Sequence, residues 1–60
     1  MIRFDYDGKH FNAGKGWLVV YRGGKELVKF FDVFKKKEPT KDEVIRFYEF
    51  MKKEVEGDTK

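Results

Sequence analysis

The sequence has no cysteine, serine or glutamine, and only one histidine, one proline, one alanine and one asparagine. Without cysteine there is no disulfide and no thiolate metal site. A single histidine leaves no His-based zinc set either, so no metal and no cofactor are expected. Those absences matter at 60 residues. A chain that short buries only about 60% of the surface its unfolded form exposes, and domains of this size often add disulfides, metals or a partner chain. Here packing, charge networks or association must do that work. No apolar run approaches the ~20 residues that span a bilayer. The segment Met1-Ile2-Arg3-Phe4-Asp5 lacks a basic stretch followed by an apolar one, so no signal peptide is expected. The expectation is a cytoplasmic protein with no membrane partner.

What is present is aromatic and charged. Seven phenylalanines stand beside 42% charged residues, at a net charge of +3. Many Lys and Glu with few thermolabile residues is a thermophile-like composition. Two leucines and one alanine are too few for an idealised designed helix, so the chain reads as natural. The charge is unevenly placed. Residues 1–37 hold nine Lys/Arg against four Asp/Glu, and residues 38–60 hold five against seven. The basic character belongs to the N-terminal part, which suits an anionic partner there.

The centre of the pattern is Gly16 to Phe31. Two β-branched and aromatic runs flank Gly23-Gly24, and two-residue hairpin turns need the positive φ that glycine adopts freely. Upstream, Ile2-Arg3-Phe4-Asp5-Tyr6 alternates as a half-buried strand does. Asp7-Gly8 is a favoured hairpin turn, and Lys9-His10-Phe11-Asn12-Ala13 returns antiparallel. Pairing Tyr6 with Lys9, Asp5 with His10, Phe4 with Phe11 and Ile2 with Ala13 puts every apolar residue on one face. A one-residue slip destroys that sorting. Ala13-Gly14-Lys15-Gly16 reads as a flexible connection, a simple turn rather than a phosphate loop.

Closing the central hairpin on Gly23-Gly24 pairs Arg22 with Lys25, Tyr21 with Glu26, Val20 with Leu27, Val19 with Val28 and Trp17 with Phe30. That register puts Trp17, Val19, Tyr21, Val28 and Phe30 on one side. Leu18, Val20, Leu27 and Phe31 fall on the other, with Lys29 and Arg22. Both faces are then partly apolar. Either the sheet curls toward a small barrel, or a second chain covers the open face, or aromatics stay exposed for a ligand. Residues 26–37 also carry a helical stripe, Leu27, Phe30, Phe31 and Phe34. The β-preferring residues and the Gly-Gly turn favour a strand there.

Glu38-Pro39 ends the run. Thr40-Lys41-Asp42-Glu43 is a capping box, and a helix is predicted from it to about Val55, with Gly57 as its stop. Val44, Phe47, Tyr48, Met51 and Val55 form its apolar face, with Ile45 and Phe50 at the flanks. Asp42/Arg46 and Glu49/Lys53 are expected as i,i+4 pairs. The expected fold class is α+β: an antiparallel meander of three to four strands with one C-terminal helix on one face. It is a single domain over 1–56, with a frayed tail at 57–60.

Chemistry is sparse. Asp5 opposite His10 offers one carboxylate–imidazole pair, and there is no Ser or Cys nucleophile. No enzyme and no small-molecule substrate are expected. Asp5-Tyr6-Asp7-Gly8 lacks the later ligands of a calcium loop. A non-enzymatic binding module remains. Lys and aromatic residues interleave along the strands at Arg3, Lys9, Lys15, Trp17, Tyr21, Arg22, Lys25 and Lys29, and Lys35, Lys36 and Lys37 extend the track. Bases stack on aromatics and phosphates pair with Lys/Arg, so nucleic acid, DNA first, is the leading partner. The alternative is a protein-interaction or inhibitor module, or a homodimer, using Leu18, Val20, Leu27, Phe31, Ile45 and Phe50. The element order over residues 16–55 resembles, as a generic pattern, the small sheet-plus-helix DNA-binding modules of integrases.

Overall fold

The computed structural model describes residues 1–56. It has four antiparallel strands, β1 (Ile2–Tyr6), β2 (Lys9–Gly14), β3 (Gly16–Arg22) and β4 (Lys25–Val33), followed by the helices α1 (Lys41–Phe50) and α2 (Lys52–Glu56). The strands form one open sheet in the order β1-β2-β3-β4. It is a meander and does not close into a barrel. The predicted α+β architecture is present, and the stretch that also read as a helical stripe is strand through Val33. The expected tail and the Gly57 stop lie outside the described residues.

Local chemistry explains the turns. Asp7 and Gly8 have φ of 55° and 74°, and Gly23 and Gly24 have φ of 60° and 82°. Two successive positive φ values match the right-handed twist of the flanking strands, which is why Asp-Gly and Gly-Gly sit at these loops. The β1–β2 register is the predicted one, from Ile2 with Ala13 to Tyr6 with Lys9.

The β3–β4 register departs from expectation. Arg22 pairs with Lys25 and Tyr21 with Glu26, as predicted, but Val20 pairs with Val28, Val19 with Lys29, Leu18 with Phe30 and Trp17 with Phe31. The shift between Val20 and Tyr21 makes Leu27 the extra residue of a bulge. A bulge inserts one residue into one strand and swaps the faces of everything beyond it. Val28 and Phe30 therefore join Leu18 and Val20 on the helix side. Lys29 and Phe31 join Trp17, Val19 and Tyr21 on the other.

The core lies between the sheet and the helices. Phe11, Ala13, Leu18, Val20, Val44, Tyr48 and Val55 are buried, with Ile2, Phe4, Tyr6, Val28, Phe30, Val33, Phe34 and Phe47 packed around them. Burial of each large apolar side chain contributes about 1.5–3 kcal/mol. Aromatic rings carry much of it. Tyr48 meets Phe11 edge-on at 5.1 Å, Phe47 meets Phe30 edge-on at 5.0 Å, and Phe4 stacks on Phe11 at 5.1 Å. Val44, Phe47, Tyr48 and Val55 of the predicted apolar helix face thus do the packing.

α1 begins at the predicted capping box. The Glu43 amide donates to Thr40 Oγ1 at 3.2 Å, and the Thr40 amide donates to Glu43 Oε1 at 2.8 Å. Pro39 and Val44, the positions flanking this box, are both buried, which is the placement of a hydrophobic staple. The helix is not continuous to Val55. Met51 leaves helical geometry at φ −101°, ψ 17°, and α2 resumes after it. Neither expected i,i+4 ion pair forms among the described residues. Glu49 instead accepts the Tyr6 hydroxyl at 2.7 Å.

Candidate functional site

The helices cover one sheet face and leave the other open. Strand partners in register share a face, so the pairings lay out three rows across it. Arg3, Asn12, Val19 and Lys29 form the first row, Asp5, His10, Tyr21 and Glu26 the second, and Gly14, Trp17 and Phe31 the third. Phe31 is 69% exposed. Trp17 and Tyr21 are half-buried, and Val19 is buried beneath them.

The Trp17 ring lies over Gly14. A Cβ on Gly14 would meet the indole Nε1 at 2.7 Å, and ring carbons Cε2 and Cζ2 at 2.8 and 2.9 Å. Glycine at this position is what lets the ring sit down on the sheet. Neither Trp17 nor Phe31 stacks on another ring among the described residues, whereas the Tyr21 ring lies 6.1 Å from that of His10.

Charge alternates by row. The first row holds two cations and the second two carboxylates. Asp5 Oδ1 lies 2.7 Å from His10 Nδ1, and Glu26 Oε1 lies 3.6 Å from Lys29 Nζ. Both pairs are exposed on the open face. Arg3 and Lys15 form no ion pair among the described residues, and neither do Arg22 and Lys25, which are exposed at the hairpin end. Asn12 Oδ1 is buried at the middle of the face without a hydrogen-bond donor among the described residues.

Several candidate residues are elsewhere. Lys9 is not part of the open face. It is only 6% exposed on the helix side, its Nζ lying 5.4 Å from the Tyr48 ring centre and 3.3 Å from the Asp7 carbonyl oxygen. Leu18 and Val20 are fully buried under the helices, so they are core and offer nothing to a partner. Lys35, Lys36 and Lys37 are exposed, but they line a shallow recess with Phe34 and Glu43 beside the first turn of α1. They do not prolong the rows on the sheet. Leu27 is 40% exposed at the bulge, Phe50 is 82% exposed on α1, and Ile45 is half-buried.

Sequence reasoning missed a polar latch on the helix side. The Tyr48 hydroxyl donates to Asp7 Oδ2 at 2.5 Å, and Lys52 and Lys9 Nζ stand 3.5 and 3.7 Å from the same oxygen. The Tyr48 hydrogen bond, opposed by desolvation and aided by the two ammonium groups, holds the Asp7 carboxyl below its ordinary value. The Tyr6 phenol is raised, first by its hydrogen bond to Glu49. The only signal for the latch was the spacing that puts Tyr48 on the apolar helix face with a hydroxyl to satisfy.

Among the described residues there is no group of three or more His, Asp or Glu side chains placed to hold a metal ion, and no helix is long and apolar enough to cross a membrane. Comparison with family models, with curated proteins and with solved structures returns no match to this chain.

Proposed function

We propose that the chain is a small non-enzymatic binding module that engages nucleic acid, DNA in the first instance, through its uncovered sheet face. The observation that carries this reading is the set Trp17, Tyr21 and Phe31 on the face turned away from the helices, with Arg3 and Lys29 in the adjacent row. Aromatic faces stack on bases, and Lys/Arg side chains neutralise phosphates. Lys15, Arg22 and Lys25, which form no ion pair among the described residues, add positive charge at the strand ends. The acidic side chains of α1 lie on the far side, where their field does not oppose a ligand on the sheet. The cysteine-free, Lys- and Glu-rich composition supports placing this module in the cytoplasm of a thermophile.

The test is a salt titration of binding to short DNA and RNA, single strands and duplexes alike. Affinity is expected to fall linearly on a logarithmic salt scale, and replacing Arg3 or Lys15 by Ala is expected to reduce that slope by about one each. No binding at low salt, or an affinity indifferent to salt, overturns the reading.

One observation favours a second reading, a homodimer through the same face. The rows have opposite charge. A two-fold axis parallel to the rows and midway between them lays Arg3 of one copy over Asp5 of the other, and Lys29 over Glu26. An apolar centre at Val19 and Tyr21 with a charged rim has the anatomy of an interface. Sedimentation equilibrium separates the two: a strict monomer across micromolar concentrations removes the dimer.

A further inference from the structure

We infer that the ligand of the open face is single-stranded, with two to four nucleotides laid along β3 between Trp17 and Tyr21. This rests on the nucleic-acid reading above and narrows it. Trp17 and Tyr21 lie four residues apart on one strand, so their side chains leave the same face about 13 Å from one another. Bases rise ~3.4 Å each when stacked and spread further when splayed. Two to four nucleotides therefore cover the distance. Phe31, directly across from Trp17, widens that end into a platform of two rings. The Trp17 ring is already seated on Gly14, so part of the ordering cost of stacking is met before the ligand arrives.

A duplex does not fit the same surface. Its bases present only their edges, so the rings have no base plane to stack against. A major groove about 12 Å wide admits a two-stranded ribbon. Four strands at ~4.8 Å spacing are about 14 Å across before side chains are added. Reading base edges also needs polar side chains reaching out from the middle of the sheet. On the two inner strands the polar groups of this face are Asn12, whose Oδ1 is buried, His10, whose Nδ1 is engaged by Asp5, and the Tyr21 hydroxyl. A duplex lying flat would put its phosphates against Asp5 and Glu26 as much as against Arg3 and Lys29.

The experiment is fluorescence anisotropy of 5′-labelled oligothymidylates of two to twelve nucleotides, with a labelled twelve-base-pair duplex beside them, at low salt. Single strands are expected to bind at least tenfold more tightly than the duplex, with affinity levelling off at about four nucleotides. Phe31→Ala is expected to weaken single-strand binding about five- to a hundredfold, the range for loss of one stacked base. Phe50→Ala, which removes a still more exposed ring on α1, is expected to leave it unchanged. A duplex that binds as tightly as the single strand overturns the inference while leaving nucleic-acid binding standing. So does a Phe31→Ala protein of unaltered affinity. Binding of neither form, or a dimer that excludes the oligonucleotide, removes the parent reading as well.

Discussion

Gly14 and Trp17 form the most sharply defined contact on the open face. The space a Gly14 side chain would fill is occupied by the indole, with ring atoms 2.7–2.9 Å from the Cβ position. Gly14→Ala must therefore push the ring off the sheet, because Gly14 sits in backbone that the core holds on its other side. Overpacking of this kind costs about 1–3 kcal/mol. The expected result is a lower urea midpoint together with a red-shifted emission maximum, since Trp17 is the only tryptophan and its ring moves toward water. An unchanged emission maximum means the ring does not rest there. Lys9, expected among the exposed cations, is buried. A lysine in an alternating strand looks like a solvent residue, but its four-carbon stem can lie along apolar surface while the ammonium finds oxygen. Lys9 does this between the Tyr48 ring and Asp7. The register did carry the signal: Lys9 pairs with Tyr6 and is in phase with Phe11 and Ala13, on the apolar face of the first hairpin.

At the scale of elements, signals confined to a few adjacent residues were legible. Asp7-Gly8, Gly23-Gly24 and the Thr40–Glu43 box each act through their own backbone, and each is found where the local chemistry placed it. The bulge at Leu27 was not legible. Glu26-Leu27-Val28-Lys29-Phe30-Phe31 offers apolar residues to both faces in either register, so alternation alone does not choose. The choice is made by the helices, which bury Val28 and Phe30 beside Leu18 and Val20 and send Phe31 outward. The break at Met51 follows the same rule, since an apolar stripe continues through it. Phe34 adds a cost that only tertiary packing sustains. It has φ of 52°, a left-handed conformation that costs a bulky residue roughly 1–2 kcal/mol. Its ring packs edge-on against Phe47 at 5.4 Å, and its carbonyl oxygen accepts from the Gly16 amide. The cap is the element whose contribution is easiest to isolate. Thr40→Ala removes the acceptor for the Glu43 amide while leaving the buried staple positions intact. A loss of about 1 kcal/mol is expected, read as a shift of the denaturation midpoint at constant slope. Thr40→Ser should restore most of it, and a Thr40→Ala protein as stable as the parent means that the box does not secure the helix start.

For the whole molecule, one small helical layer covers one face, and its attachment to the first hairpin is partly ionic. The titration of Asp7 and of Tyr6 is tied to that attachment. The Asp7 carboxyl is held below its ordinary value of 3.8, chiefly by the Tyr48 hydroxyl. A depressed carboxyl stabilises the fold above its unfolded-state value, and the contribution is lost as pH falls through the folded-state value. Tyr6 is shifted the other way. Its phenol, bonded to Glu49, is raised above 10.0, so its contribution is complete below that value and is lost as pH climbs through the raised one. Stability should therefore decline at both acid and alkaline extremes, and each limb should belong to a different residue. Urea midpoints measured across the pH range on the parent, Asp7→Asn and Tyr6→Phe test this. Asp7→Asn should be less stable than the parent at neutral pH, with the gap closing below 3.8 as the parent's own carboxyl protonates. Tyr6→Phe should lose its deficit only above pH 10. Gaps that stay constant across both limits would mean that packing of Tyr48 and Tyr6, rather than their hydroxyl bonds to Asp7 and Glu49, holds the helical layer to the sheet.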